Sequence, residues 1–257
     1  MASDIARRPT LGMTRRKLRS ASEPRSSLRR TALGWRLSQH GTVLSEILRQ
    51  PGPTHSVFDV IAALGVGGDP RLPVRDVALL GFGGGSVVAA LRALGSRATI
   101  HAVDRDDTGY RVLREAGAEW LEPFRWHHAD ATAWLSRAGT FDLVVEDLSV
   151  SRDGEVEKPD ETWDVFPALT GRHLRPGGRL VFNLLRRPGW SWDRCVATVG
   201  AGRPGGRQIV FREFENRIVV TSAEVLPSAR PWGKALRITL GRLGSRQRNR
   251  IQVRSLD

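Results

Sequence analysis

Glycines are the residues of this sequence best suited to bring backbone groups close to a ligand. An apolar run from Val77 to Leu80 breaks into a turn that contains Gly81, Gly83 and Gly85. Without a Cβ, the backbone N–H can approach a bound molecule closely, and a positive φ costs little only at glycine. A buried strand that runs through such a turn into a helix N-terminus is suited to hold a nucleotide. Glycine turns also serve only to pack a strand against a helix, so the motif is weak alone.

Two aspartates stand where the next two predicted strands end. Asp104 lies 23 residues after Gly81, at a position where a carboxylate can accept hydrogen bonds from two ribose hydroxyls. Asp130 precedes the small residue Ala131. This pair suits an adenine edge, because the carboxylate can accept from the exocyclic amine while a backbone N–H donates to a ring nitrogen. The alternative for both aspartates is that each caps the helix that follows.

A pair of acids, Glu146 and Asp147, follows the mainly apolar run from Phe141 to Val145. In a parallel sheet, ligands bind in the crevice outside the carboxyl ends of the strands, so both acids are expected to face that crevice. An acid pair at such a point is costly unless it is solvated, liganded or functional. Asp147 is therefore predicted to be the catalytic polar group near a reacting centre.

Together, the glycine turn and the acids predict a cofactor that contains adenosine. The main competitor is NAD(P), but its fingerprint requires a third glycine where this chain has Ser86. A dinucleotide site also predicts neither an adenine-edge aspartate at position 130 nor a C-terminal hairpin. No metal site is predicted, since the chain shows no convincing cluster of metal-ligating side chains.

An alternation of strands and helices positions these residues. Apolar runs and helical spacing predict five strands, with helices between and after them. The strands are Val77–Leu80, Ala98–Val103, Arg125–His128, Phe141–Glu146 and Leu180–Leu184; the helices are Ser86–Leu94, Thr108–Ala116, Ala131–Arg137, Glu161–Leu174 and Trp190–Val199. Two last runs, Gln208–Phe214 and Arg217–Ser222, are too close for a parallel crossover. The sequence therefore predicts an α/β fold whose mostly parallel sheet is closed by an antiparallel hairpin.

Charge and composition divide the chain into four parts. Residues 1–30 and 230–257 each carry a net charge of +7, whereas the 199 residues between them sum to about −1. We expect a disordered basic tail at 1–30, an N-terminal extension with a short strand or hairpin and a helix at 31–75, a Rossmann-like cofactor-binding domain at 76–228, and a basic C-terminal tail at 229–257. Such tails can hold polyanions weakly through their charge.

The cysteine count and the hydropathy pattern bear on the compartment. The single cysteine, Cys195, excludes an internal disulfide and fits a reducing compartment. No apolar run approaches the roughly 20 residues that span a bilayer, and no secretory signal is visible. We expect a cytoplasmic protein without membrane contact, although the Arg- and Ser-rich start also fits an organelle transit peptide. The oligomeric state is not readable, and a homodimer stays open.

Six motifs resemble the spermidine synthase-like branch of the S-adenosylmethionine-dependent methyltransferase superfamily. They are LLGFGGGS, HAVDRD, HHADATAWL, FDLVVEDLS, HLRPGGRLVFNL and FREFENRIVVTS, and they extend over roughly residues 42–228. The resemblance implies a Rossmann-like class I methyltransferase fold that binds S-adenosylmethionine or its decarboxylated form. It implies ribose contact for Asp104 and adenine contact for Asp130 and Ala131. The methionine and ribose part is implied to lie along Gly81, Gly83 and Gly85.

The chain departs from the aminopropyltransferases of this family at the residues that bind the amine. Those enzymes carry an aspartate inside the glycine turn, where this chain has Gly84, and a second catalytic aspartate, where it has Val150. A Tyr-Gln-Glu run that helps hold the polyamine lines up with Val, Phe and Asp at residues 57–59. A cationic amine nucleophile needs carboxylates to bind it and to take its proton. Acids of the loop at the family's substrate gate could replace them; these are Asp153, Glu155, Glu157 and Asp160.

Three functions from different classes remain. The first is an S-adenosylmethionine-dependent methyltransferase with a small-molecule acceptor, in which the protein contributes mainly proximity and orientation. The second is a polyamine aminopropyltransferase, a spermidine synthase, that uses decarboxylated S-adenosylmethionine. The third is a non-catalytic adenosine-cofactor binder whose basic tails recruit a partner. Gly84 and Val150 favour the first of these.

Overall fold

The computed structural model describes residues 27–39, 42–66, 73–152, 154–203 and 205–256. Its first elements are an antiparallel three-stranded sheet and a helix, which confirms the predicted β-rich N-terminal extension. These are β1 (Ser27–Arg30), β2 (Gly34–Gln39), β3 (Thr42–Leu48) and α1 (Val57–Val66). Of the disordered basic tail predicted at 1–30, residues 1–26 lie outside the described residues. Residues 27–30 form β1 instead, since they pair with β2.

Strands and helices then alternate, as the apolar patterns predict. The elements are β4 (Asp76–Leu80), α2 (Ser86–Ala93), β5 (Thr99–Asp104), α3 (Thr108–Glu115), β6 (Phe124–His128), α4 (Ala131–Leu135) and β7 (Phe141–Glu146). A short 3₁₀ helix, Glu119–Leu121, precedes β6. Each of these four strands lies within one residue of its predicted bounds at either end.

The second half of the chain continues the pattern with one interruption. The elements are β8 (Val150–Arg152), β9 (Glu155–Glu157), α5 (Glu161–Asp164), α6 (Phe166–Arg172), β10 (Leu174–Leu184), α7 (Trp192–Gly200), β11 (Arg207–Phe211) and β12 (Arg217–Ser222). The single helix predicted at Glu161–Leu174 is wrong: two short helices occupy that range. Pro167 lies in the first turn of α6, where its fixed φ and missing N–H start a new helix.

The main sheet has eight strands in the order β6-β5-β4-β7-β10-β12-β11, with one further strand beside β11. The first five of these strands are parallel, whereas β10–β12 and β11–β12 are antiparallel pairs. The predicted parallel sheet with a closing antiparallel hairpin is therefore confirmed. Parallel pairing brings the carboxyl ends of β4, β5 and β7 to one edge, where the glycine turn and the acids lie.

Alternate residues of the central strands enter two separate cores. Val77 and Leu79 of β4 pack with α1, α2 and α3 on one face, while Ala78 and Leu80 pack with α4, α6 and α7 on the other. All four are essentially inaccessible to solvent. Coverage of both faces explains why these strands read as continuous apolar runs rather than as an alternation. No helix of the described residues is long and apolar enough to cross a membrane.

The C-terminal segment is not the basic tail predicted at 229–257. It forms α8 (Ala229–Leu243), a 3₁₀ helix (Arg246–Asn249) and β13 (Ile251–Ser255), which pairs with β11 at the sheet edge. The buried residues of α8 recur at helical spacing and include Trp232, Leu236, Leu240 and Leu243. The many arginines between them hide this apolar stripe, which is the signal that identifies the helix. Weak contact with polyanions remains a prediction, and the C-terminal basic residues that would make it belong to folded elements.

Candidate active site

A cavity of about 1260 Å³ opens at the carboxyl ends of β4, β5 and β7. Its walls combine the glycine turn, the strand ends and the N-terminal sheet. Four of the seven predicted site residues line it, namely Gly81, Gly83, Asp104 and Asp147. Pockets of about 300–1,000 Å³ hold drug-sized ligands. The cavity therefore has room for a cofactor and a second small molecule.

The glycine turn has the backbone that its sequence predicts. Gly81, Gly83 and Gly85 have φ of +90°, +54° and +75°, the left-handed region that costs little only at glycine. A Cβ on Gly81 would lie 2.5 Å from the carbonyl oxygen of Asp147, so this position also requires close backbone approach. Gly85 does not line the cavity; a Cβ there would meet the ring of Phe82 at 2.9 Å. Gly85 thus packs the turn rather than facing a ligand.

Asp104 ties the end of β5 to the glycine turn. Its Oδ2 accepts hydrogen bonds from the backbone N–H of Phe82 at 2.8 Å and of Gly83 at 3.0 Å, and its Oδ1 accepts one from Asp106 N–H at 3.0 Å. Each carboxylate oxygen has more than one acceptor site. The side chain can therefore hold the turn in place and still accept from a ligand in the cavity.

Asp147 follows β7 directly and reaches the cavity from the sheet edge. Its N–H donates to the carbonyl of Leu80 at 2.8 Å, and its Oδ1 accepts from Asn183 Nδ2 at 2.7 Å. Burial raises the pKa of Asp147 to about 7, although the Lys158 ammonium and the Asn183 hydrogen bond oppose this rise. The protonation state of Asp147 therefore changes close to neutral pH. A group with that pKa can take a proton from a nucleophile and release it again.

Asp130 and Ala131 lie beside the cavity but do not line it. Asp130 Oδ1 accepts from Ala133 N–H at 2.8 Å and so caps α4, while its Oδ2 pairs with the Arg105 guanidinium. These contacts, the Ala133 N–H foremost, hold the pKa of Asp130 below its usual range. The geometry therefore shows the helix cap, the alternative that the sequence leaves open. Arg105, which pairs with Asp130, does line the cavity.

The sequence gives no hint that the N-terminal sheet forms a wall of this site. Ser86, the first residue of α2, makes a 2.9 Å hydrogen bond with Ser45 of β3. Its hydroxyl also donates to the Glu46 carbonyl at 2.7 Å and accepts from Glu46 N–H at 3.0 Å. The residue that breaks the dinucleotide fingerprint thus docks β3 onto the glycine turn. No local feature of the sequence indicates this contact, because its two partners lie 41 positions apart.

Solved structures with the same chain path include a probable spermidine synthase from Corynebacterium glutamicum. It has a TM-score of 0.67 and 16% identity, over 90% of this chain and 87% of that one. The chain has a spermidine synthase-like class I methyltransferase fold. Human methyltransferase-like protein 13 in complex with SAH follows, at a TM-score of 0.56 and 19% identity, over 72% of this chain and 90% of that one. A spermidine synthase in complex with the transition-state analogue AdoDATO has a TM-score of 0.61 and 12% identity, over 80% and 73%.

The TM-scores establish the shared fold, whereas identities of 12–19% leave the reaction open. Neither a protein-family model nor a curated protein matches the sequence. The reaction must therefore be inferred from the residues that line the cavity.

Within this spermidine synthase-like fold, the glycine turn has no space for a side chain at Gly84. A Cβ there would lie 2.4 Å from Ile47 Cγ1 and 3.0 Å from Ser45 Oγ. Both contacts come from β3, which the Ser86 hydroxyl holds in place. The position where the resemblance predicts an amine-binding aspartate is thus closed by the N-terminal sheet.

The loop from Ser149 to Asp160, called the gate loop because the resemblance places it at the family's substrate gate, contains the small hairpin of β8 and β9. The three described acids of this loop, Glu155, Glu157 and Asp160, do not line the cavity, and Asp153 lies outside the described residues. Glu157 and Asp160 instead pair with Arg152 at 3.8 Å and 3.3 Å. The loop residues that do line the cavity are Ser149, Val150, Ser151, Val156 and Lys158. Among the described acids, none of this loop therefore replaces the missing aspartates.

His55 lines the cavity and is held by the neighbouring Asp59 and by Gln247 near the C-terminus. It has a φ of +59°, a strained value for a residue with a side chain. The carboxylate of Asp59, fully buried, accepts from His55 N–H at 2.9 Å and Thr54 N–H at 2.7 Å, while Gln247 Nε2 donates to the His55 carbonyl at 2.9 Å. Asp59, which lines up with the polyamine-holding run, is thus occupied in shaping this loop.

Proposed function

We propose that this protein is an S-adenosylmethionine-dependent methyltransferase with a small-molecule acceptor. SAH in one structure of this fold and AdoDATO in another support a cofactor of the adenosylmethionine type. The residues present fit that cofactor, because the Cβ-free glycine turn, Asp104 and Asp147 line one cavity. The observation that carries the choice of reaction is the closed space at Gly84.

The cofactor, when bound, supplies an electrophilic methyl group on a sulfonium. Asp104 would accept hydrogen bonds from ribose hydroxyls, and Gly81 and Gly83 would lie along the ribose and methionine. Asp147 would accept the proton that the acceptor releases as its bond to the methyl carbon forms. The cavity walls bring the two reactants together, and effective molarity supplies most of the rate enhancement expected of such an enzyme.

The residues at the two amine-binding positions argue against a polyamine acceptor. An aminopropyltransferase binds a cation, for which carboxylates are required. Here one such position, Gly84, is closed, and the other, Val150, is apolar. The same gate loop contributes the ammonium of Lys158 to the cavity wall. A cationic acceptor would therefore lack the two carboxylates that the aminopropyltransferases offer it.

Binding of four ligands tests this proposal. Calorimetry with S-adenosylmethionine, decarboxylated S-adenosylmethionine, S-adenosylhomocysteine and methylthioadenosine should show tighter binding of the two carboxylated ligands. We expect the decarboxylated form to bind at least about tenfold more weakly, a difference of about 1.4 kcal/mol. Preference for the decarboxylated form would support aminopropyl transfer instead, and no binding of any of the four would remove the proposal.

Turnover separates an enzyme from a non-catalytic binder. The full chain is incubated with S-adenosylmethionine labelled at the methyl group and a pool of small-molecule acceptors, and the label is followed into products. Transfer above the level of an Asp147→Asn variant that still binds S-adenosylhomocysteine supports the methyltransferase. No label above a protein-free blank in either sample, with cofactor binding intact, favours the non-catalytic alternative.

A further inference from the structure

A buried ion pair lies at the wall of the cavity. Lys158 Nζ lies 3.0 Å from Glu146 Oε1, and the two side chains are 2% and 0% exposed. Removing both charges from water is costly, and such a pair rarely adds net stability. Lys158 also lines the cavity. A pair that costs free energy at a ligand site is a candidate for a role in function.

The pair hydrogen-bonds both the backbone N–H and the carbonyl of Leu148, the residue that directly follows Asp147. Leu148 N–H donates to Glu146 Oε1 at 3.2 Å, and Lys158 Nζ donates to the Leu148 carbonyl. Thr162 Oγ1 donates to the same Glu146 oxygen at 3.1 Å. Asp147 is therefore anchored on one side through its own N–H to Leu80 and on the other through Leu148.

Glu146 keeps one oxygen without a partner in the described part of the chain. Its Oε2 is buried and accepts no hydrogen bond, so burial raises the pKa of this carboxyl despite the adjacent ammonium. An unsatisfied carboxylate oxygen costs more than an apolar side chain would. Packing alone would favour two apolar side chains at these positions. The presence of Lys158 and Glu146 instead points to a role at the neighbouring Asp147.

We propose that Lys158 is a positioning residue: through the Leu148 carbonyl it fixes the turn that carries Asp147, and its ammonium acts on that carboxylate. The consequence of this inference rests on the proposed function, in which Asp147 takes the proton that the methyl acceptor releases. The charged groups that act on Asp147 are Lys158 from the gate loop, Glu146 on its own strand and Asp104 on β5. The two acids raise the pKa of Asp147, whereas Lys158 lowers it.

The Lys158→Met substitution tests the proposal, because methionine keeps the stem and removes the charge. The pKa of Asp147 is followed by carbon-13 NMR of its carboxyl carbon, assigned with Asp147→Asn, in the full chain with bound S-adenosylhomocysteine. Loss of the ammonium should move this pKa upward by about one pH unit, the lower end of the effect of a nearby opposite charge. Lys234→Met, on the exposed face of α8, makes the same change away from the site and should leave it in place.

A second variant keeps the proposal falsifiable where Lys158→Met does not fold. Glu146→Gln removes the negative charge beside Asp147 and leaves the ammonium, so the pKa of Asp147 should move downward. Opposite shifts in the two variants support the positioning role. An unmoved Asp147 titration, with only a lower melting temperature, would mean that the pair is structural. Because the titration needs no acceptor, it decides this inference even where no methyl transfer is found.

Discussion

Asp104→Ala is expected to reduce the affinity for S-adenosylhomocysteine by at least about 100-fold. The substitution removes the predicted hydrogen bonds from the ribose hydroxyls, and a hydrogen bond to a charged group contributes about 1.5–3 kcal/mol. In the wild type the carboxylate also accepts hydrogen bonds from the backbone N–H groups of Phe82 and Gly83, and the substitution removes this acceptor. The cavity therefore loses a ligand contact and the anchor of its glycine turn together. Isothermal titration calorimetry measures the change in affinity.

Two further variants separate these contributions. Asp104→Asn keeps an acceptor for Phe82 N–H and Gly83 N–H but loses the charge, so its affinity should lie between those of the wild type and Asp104→Ala. Glu122→Ala removes an exposed acid outside the cavity lining that pairs with Arg114 at 3.8 Å. Such surface pairs contribute about 0–1 kcal/mol, and binding should change little. Wild-type affinity in Asp104→Ala would place the ribose elsewhere in the cavity.

Gly84→Asp, which restores the aspartate of the aminopropyltransferases, should destabilise the protein rather than change its reaction. The new Cβ would overlap Ile47 Cγ1 at 2.4 Å, and the carboxylate would be buried between β3 and the turn. Overpacking typically costs 1–3 kcal/mol and an unpaired buried charge costs more, so we expect about 3 kcal/mol or more. Urea unfolding measures this loss directly, and the melting temperature should fall by roughly 6–12 °C.

Gly139→Asp is the matched control for this substitution. A Cβ at Gly139 meets no atom within 4 Å and the residue is exposed, so stability should stay within about 0.5 kcal/mol of the wild type. A Gly84→Asp protein with wild-type stability that transfers an aminopropyl group to a diamine would contradict both the packing argument and the proposed reaction.

The sheet and its site edge could be predicted because apolar runs, glycines and strand-end acids are local features of the sequence. Strand bounds from β4 to β7 follow from such runs, and the positive φ of Gly81 follows from its place after a strand. Asp130 shows the limit of this approach. An aspartate before a small residue has the same pattern whether it caps a helix or contacts a base, and only the hydrogen bond to Ala133 N–H shows the cap.

Contacts between distant segments could not be predicted. Ser86 meets Ser45 across 41 positions of the chain, and nothing near either residue indicates the other. Lys158 stands in a polar loop that reads as solvated, yet its ammonium is buried against Glu146. In α8 the basic residues outweigh the apolar stripe in any average over the segment, so charge hides a helix that packing defines.

The hydrogen bond from Gln247 to the His55 carbonyl has a consequence for biosynthesis. Domains fold as the chain leaves the ribosome, N-terminal parts first. Here the strained His55 loop in one wall of the cavity is held by the nearby Asp59, but its second anchor, Gln247, lies 192 positions later in the chain. The nascent chain can therefore assemble the central sheet well before its ligand site is complete. Cofactor present during synthesis should reach its full affinity only after Gln247 has been made and has bonded to His55.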